Sequence, residues 1–456
     1  MTLPVRGRPA PRGSSCALPA DFWAEAARWI AHNTVTSRSN LPFLRRLRSL
    51  FAALGFRTRL DLYREGTASF GNLILSRGPR RGRPLLLNTH SDTVPPGPAA
   101  GWTRGGNPFR LVRRSGLLTG LGVADVKLNL LCQWEAFRRL GPVGFDRPVA
   151  LAVTYGEERG LRGARRLIGS WRGAKPDLVL VGEPSLGRPI HRHRGYLVFE
   201  ARVPKIRAAV GGTPRTRTFR GRAAHSSTPR LGRNALTEAL GALGRWTKEG
   251  KSPRVLSWTG GTAANQVPAE SILRWVFDER REGGGTPRWV VDWAAFAGAR
   301  GRLAKGLPRG CSFNFGVLRE DARDSILTFD VRFPAGESSR RVQRTVRRLW
   351  GRLPVPRLLI DDPALSTPPG SPPLRRVDRA LADAGLPRRW AEKKTCTEAG
   401  LYSAWGVPAV VWGPGRSTGN VHRPDESIAE RDLAKAVDFY EALLRRWIQK
   451  NQEKAP

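Results

Sequence analysis

The sequence predicts an α/β protein: a mostly parallel sheet covered by helices on both faces, with an α+β domain inserted into it. Three observations lead there. Apolar runs at 84–88, 148–154, 177–181 and 408–412 read as strands buried on both sides, because a strand with one wet face would alternate. Helical stretches such as 128–140 separate them, the rhythm of parallel strands joined by crossovers. Finally, 239 positions separate Glu183 from His422, room for a second domain over about 196–360.

The strands end in chemistry. Leu85, Leu86 and Leu87 run into NTHSDTVPPG, which sets His90 and Asp92 one residue apart, and an imidazole held by a carboxylate is a common metal-site arrangement. In TGLGVADVKLNLLCQWEAF, Gly120 and Gly122 open a tight loop, Asp125 follows, and Leu128, Leu130, Leu131 and Trp134 begin an amphipathic helix. The plainer reading of Asp125 is a carboxylate stabilised by that helix's dipole. The strand Ala150 to Val153 leads to Glu157 and Glu158, and the strand Asp177 to Val181 to Glu183. The last strand is followed by a Gly-Pro-Gly turn at 413–415 and then by His422. Open α/β sheets place their ligand sites beyond the carboxyl ends of strands. Two histidines and four carboxylates there, with Asp92 behind the first histidine, are enough to hold two divalent ions through a shared carboxylate.

In this order the motifs resemble those of the M20 family of metallopeptidases and deacylases, from about Asp21 to Arg446. The resemblance implies a zinc-peptidase-like sheet with an inserted lid and dimerisation domain. It implies that His90, Asp125 and Glu183 hold one zinc and that Asp125, Glu158 and His422 hold the other, with Asp125 the bridge. Glu157 is then the general base on a metal-bridging water, and Asp92 orients His90. Such ligands also accept cobalt or manganese.

A second block, GRAAHSSTPRLGRNALTEALGAL, places His225 before a helix starting near Asn234, and the resemblance implies that His225 helps to stabilise the oxyanion in the partner subunit of a homodimer. Asn265 and Arg194 occupy family-like positions for substrate contact. Two stretches, 271–280 and 325–334, resemble the inner strand of the lid, so either Arg280 or Arg332 is the substrate-facing arginine and 281–322 reads as an insertion. Thr397-Glu398-Ala399 resembles acetylornithine deacetylases, and a carboxylate at Glu398 could pair with a basic group of the substrate, although a structural acid at a helix end fits as well. The implied activity is hydrolysis of the amide bond of an N-acyl amino acid, with a carboxypeptidase or dipeptidase as the alternative and a non-enzymatic polyanion binder as the third reading.

Composition agrees with an enzyme of two domains. The expected division is a basic, disordered segment over 1–19, a catalytic domain over 20–195 and 361–450, and the lid over 196–360. Four dispersed cysteines form no CxxC pair, which argues against a disulfide framework and suits the cytoplasm. No apolar run reaches the ~18 residues of a membrane span, so no membrane association is expected. The 78 basic residues against 38 acidic ones give a formal charge of +40, with basic clusters at Arg77 to Arg83 and Arg340 to Arg348 that would attract phosphates. No nucleic-acid-binding signature accompanies them, so nucleic acid is not an expected partner and the milder inference is a preference for anionic substrates.

Overall fold

The computed structural model describes residues 17–277 and 286–449, in two compact units. Over those residues the first unit comprises 17–190, 368–391 and 410–449, and the second 191–277, 286–367 and 392–409. Residues 1–16, 278–285 and 450–456 lie outside the described residues, and with them Arg280, most of the basic N-terminal segment and the start of the supposed insertion.

The first unit is built on strands β1 (Arg57–Glu65), β2 (Ala68–Arg77), β3 (Leu85–His90), β4 (Val149–Thr154), β5 (Leu178–Gly182) and β6 (Ala409–Trp412), in the spatial order β1-β2-β4-β3-β5-β6. At its centre β3 pairs in parallel with β4, Leu85 opposite Val149 and His90 opposite Thr154, and with β5, Leu85 opposite Leu178. Every residue of β3, β4 and β5 is buried, as expected of strands covered on both faces. The mostly parallel α/β architecture is therefore the one the sequence predicts. The antiparallel edge made by β1 and β2 was not anticipated; β2 continues it onto β4, with Leu73 opposite Val153.

Helices α1 (Ala20–Ala31), α2 (Leu41–Ala53), α3 (Lys127–Leu140), α4 (Arg162–Gly169), α5 (Pro372–Asp383) and α6 (Glu430–Ile448) complete this unit. α3 buries twelve of its fourteen residues. Two of its polar interior positions join one chain of hydrogen bonds: Gln133 donates to Thr89 at 3.0 Å and to the Tyr440 hydroxyl at 3.2 Å, and Tyr440 donates to Asn129 at 2.8 Å. On α6, Phe439 and Tyr440 pack against Trp412 of β6, with ring centroids 3.8 and 5.3 Å away.

The second unit contains a seven-stranded antiparallel sheet in the order 215–220, 270–277, 253–260, 312–320, 324–333, 195–204, 357–362. Three helices, Ala235–Lys248, Trp293–Gly306 and Ser339–Trp350, bury Leu236, Leu243, Phe296, Leu303, Val342 and Trp350 in its core. Asn234 caps the first of them by accepting the Thr237 N–H at 3.0 Å. The described parts of both lid-like stretches, 271–277 and 325–333, are strands of this one sheet. Residues 286–322 fold as a strand, Thr286–Val290, that pairs with Ile206–Val210, then as the helix Trp293–Gly306 and the strand Ser312–Glu320. No described helix is long and apolar enough to cross a membrane.

Candidate active site

Three strand ends and two loops of the first unit bring seven predicted residues together. His90, at the end of β3 and 1% exposed, directs Nε2 to within 3.2 Å of Asp125 Oδ1 and 3.7 Å of Glu183 Oε1. The other oxygen of Asp125, Oδ2, lies 3.2 Å from His422 Nε2, which is 3.0 Å from Glu158 Oε1. Asp125 thus presents one carboxylate oxygen to each histidine. Donor atoms of His90, Asp125 and Glu158 lie within 4.8 Å of one another, as do those of His90, Glu157 and Glu183.

The two glutamates sit on a turn that only a flexible backbone can enter: Gly156 is in the left-handed region at φ 64°. Asp92 then accepts the Glu157 N–H on Oδ1 at 3.2 Å and the Glu158 N–H on Oδ2 at 3.3 Å. Its carboxylate is 3.7 Å from His90 Nδ1, and the nearer acceptor for that nitrogen is the Asp92 carbonyl at 3.0 Å. The Asp92 carboxylate therefore holds the glutamate turn through two N–H groups, a task that the sequence motif does not reveal.

Two positioning residues were missed. Asn72, buried on β2, accepts the Tyr155 N–H at 3.2 Å and donates to the Gly163 carbonyl at 2.9 Å, clamping both ends of the glutamate turn. A side chain at Gly163 would come within 2.5 Å of the Tyr155 carbonyl, so the turn closes only around glycine. Glu426, 1% exposed, accepts the N–H groups of Gly122, Ala124 and Asp125 at 3.2, 2.7 and 3.0 Å. The available signal for Glu426 was its place four residues after His422 in an otherwise surface-like segment.

Electrostatics favour cations here. Burial alone would lower both imidazole pKa values, but the carboxylates overcome it: Asp125 and Asp92 raise that of His90, and Asp125 and Glu158 raise that of His422 to about 11. Burial raises the Glu158 carboxyl, whereas the two imidazoles hold Asp125 well below the usual carboxylate range against its own burial. Five carboxylates, Asp92, Asp125, Glu157, Glu158 and Glu183, stand around the two histidines, a concentration of negative charge that calls for a positive partner. Oxygen and imidazole donors at this spacing match a divalent ion that sits roughly 2.0–2.2 Å from each ligand.

The remaining predicted residues belong to the second unit. His225, exposed, pairs in register with Gln266 and takes a 2.7 Å contact from Nδ1 to Ser227 Oγ. The Ser226 N–H donates to the Asn265 carbonyl at 2.9 Å, and Arg332 donates to Ser226 Oγ at 3.4 Å. Arg332 is 3% exposed, lies 3.7 Å over the Tyr196 ring and has Nε 3.9 Å from Asp330, while Arg194 donates to the Arg332 carbonyl at 3.2 Å. His225, Asn265, Arg332 and Arg194 are thereby linked. Glu398 is fully buried at the start of the helix Ala399–Ala404, where burial and then Glu398 itself push up the Tyr402 phenol.

Among solved structures, the fold is similar to the aminoacylhistidine dipeptidase of Vibrio alginolyticus, with 17% identity, a TM-score of 0.67, and 94% of this chain and 97% of that one covered. It is also similar to aminopeptidase PepT of Bacillus cereus, at 16% identity, TM-score 0.58, and 94% and 98% coverage. A metallo-carboxypeptidase of family M20 from Sulfolobus solfataricus gives 15% identity, TM-score 0.60, and 94% and 99% coverage. At such identities the likeness is one of fold. The sequence profile of peptidase family M20/M25/M40 matches residues 86–446, which takes in every residue of the His90–His422 cluster. The chain belongs to peptidase family M20/M25/M40, whose members are enzymes acting on amide bonds.

Proposed function

We propose that this chain is a two-metal amidohydrolase that releases the acyl group of an N-acyl amino acid, in the manner of an acetylornithine deacetylase. The observation that supports it best is the pair of 3.2 Å contacts from the two oxygens of Asp125 to His90 and His422. On this reading His90, Asp125 and Glu183 hold one divalent ion, Asp125, Glu158 and His422 hold the other, and zinc is the proposed metal. When bound, such ions act as Lewis acids that bring the pKa of water toward neutrality and polarise the scissile carbonyl.

The chain's own groups supply the rest. Glu157 accepts a proton from the attacking water and returns it to the leaving nitrogen, so the amine departs neutral. Asp92, through the two N–H groups it accepts, keeps the Glu157 and Glu158 turn in register. The first unit is then the catalytic domain and the second the lid and dimerisation domain of a homodimer, with His225 as the oxyanion donor. Arg194, Asn265, Arg332 and Glu398 are proposed to contact substrate, and the excess of arginine suits a substrate that carries a carboxylate. Among the described residues Cys132, Cys311 and Cys396 are in no disulfide, which supports a cytoplasmic setting.

A second reading is a dipeptidase or carboxypeptidase, favoured by the activities named for two of the structures of similar fold. Both readings use one amide-cleaving centre and differ in the group that leaves. Assay of chelated and zinc-restored protein on N-acetyl and N-succinyl amino acids beside dipeptides decides between them. Turnover of an acyl amino acid such as N-acetylornithine supports the first reading; cleavage of dipeptides alone overturns it in favour of the second.

A further inference from the structure

The basic cluster Arg340 to Arg348 takes no part in the proposed reaction, yet it forms a defined feature of the second unit. The helix Ser339–Trp350 carries five arginines and no acid. Its apolar face, Val342, Val346 and Trp350, is fully buried, and Trp350 stacks on Phe329 with ring centroids 4.9 Å apart. Packing therefore holds the helix in place although its charges oppose it: Arg340 and Arg344, and Arg344 and Arg348, are like charges four residues apart.

Beside this helix lies a cavity of about 460 Å³, lined by Arg341, Arg344, Thr345 and Arg348 with Gly306 and Pro308 from the end of the preceding helical segment. No carboxylate lines it. Arg341 has one acidic neighbour, Glu337 at 3.4 Å. Among the described residues the side chains of Arg344 and Arg348 have no hydrogen-bond or ion-pair partner. The other basic cluster differs. Arg83 reaches Asp177 at 3.7 Å and two backbone carbonyls, and Arg77 lies 4.4 Å over the Phe145 ring.

We propose that this cavity binds a small oligophosphate, a linear chain of linked phosphate groups. Arg341, Arg344 and Arg348 lie on one helix face with the outer two seven positions apart, roughly 10 Å along the axis at 1.5 Å per residue. A single phosphate reaches one or two of these guanidiniums, whereas a chain of phosphates reaches all three. Guanidinium forks pair with phosphate oxygens in bidentate fashion, and Thr345 adds a hydroxyl donor within the row. Binding also neutralises the like-charge repulsion along the helix. The site is independent of the amide-cleaving centre.

The test is calorimetric titration of tripolyphosphate into the full chain at constant ionic strength, with orthophosphate in parallel. The site variant is R341Q/R344Q/R348Q. The control is R38Q/R45Q/R48Q, which removes the same charge from exposed arginines elsewhere. Far-UV circular dichroism and thermal unfolding establish that both variants are folded, and R344E alone is a milder second variant. The expected result is tripolyphosphate binding at least about tenfold tighter than orthophosphate, weakened at least about tenfold in the site variant and in R344E but by less than about twofold in the control. Equal weakening in site and control variants would show a diffuse field in place of a site and overturn the proposal, as would unchanged binding in the site variant or no binding by the wild type.

Discussion

The carboxylate of Glu426 accepts the backbone N–H of Asp125 at 3.0 Å, and through the N–H groups of Ala124 and Gly122 it holds the whole turn that delivers Asp125 between the two histidines. Glu426 stands four residues beyond His422, so one side chain ties together the two loops that carry the shared carboxylate and the second histidine. Replacing it leaves three N–H groups of a buried turn without their acceptor. We predict that Glu426→Ala weakens metal retention or turnover by roughly 10- to 100-fold, the range found when groups behind metal ligands are removed. Metal content by mass spectrometry and kcat on the same preparations check it. Wild-type values of both would show that the turn holds its shape without Glu426.

Asn72 plays the corresponding part for the glutamate turn. Asn72→Ala removes the acceptor for Tyr155 N–H and the donor to Gly163 in a site with no exposure to water. Each unsatisfied buried group costs about 1–3 kcal/mol, so a clear fall in Tm is expected together with a fall in kcat larger than any change in KM. An equal loss of KM and kcat control, with Tm unmoved, would speak against the clamp.

Asp330 provides a pH test in the second unit. Burial pushes its carboxyl up to about 7, against the pull of Arg332. Its folded pKa thus lies above the ordinary 3.8, so its contribution to stability is complete below about pH 4 and is lost as pH rises through 7. Asp330→Asn removes this dependence. Relative to wild type, the variant's Tm should rise between pH 5 and pH 8; parallel Tm curves across that interval would contradict the assignment.

Much of the first unit was legible because its strands are apolar throughout and end in histidine or acid. The runs at 84–88, 148–154, 177–181 and 408–412 appear as Leu85–His90, Val149–Thr154, Leu178–Gly182 and Ala409–Trp412. Residues such as Asn72 and Glu426 were not legible, because their work is done through backbone N–H and C=O groups distant in sequence, which no local spacing records. The ribbon of Ile206–Val210 with Thr286–Val290 escaped for a related reason: its register joins segments about eighty residues apart, and neither is apolar enough to announce a strand. His225 and Asn265 illustrate the intermediate case. Their motifs were visible, whereas the Ser226 to Asn265 hydrogen bond that brings the segments together was not.

The most direct test of the central claim compares wild type with Glu157→Ala, each stripped by chelator and reloaded with zinc, measuring bound metal and amide hydrolysis on the same samples. The account predicts two ions per chain in both proteins and turnover reduced by at least about 10²-fold in the variant alone. Hydrolysis by the variant at the wild-type rate, or a fully loaded wild type that cleaves neither acyl amino acids nor dipeptides, would contradict it.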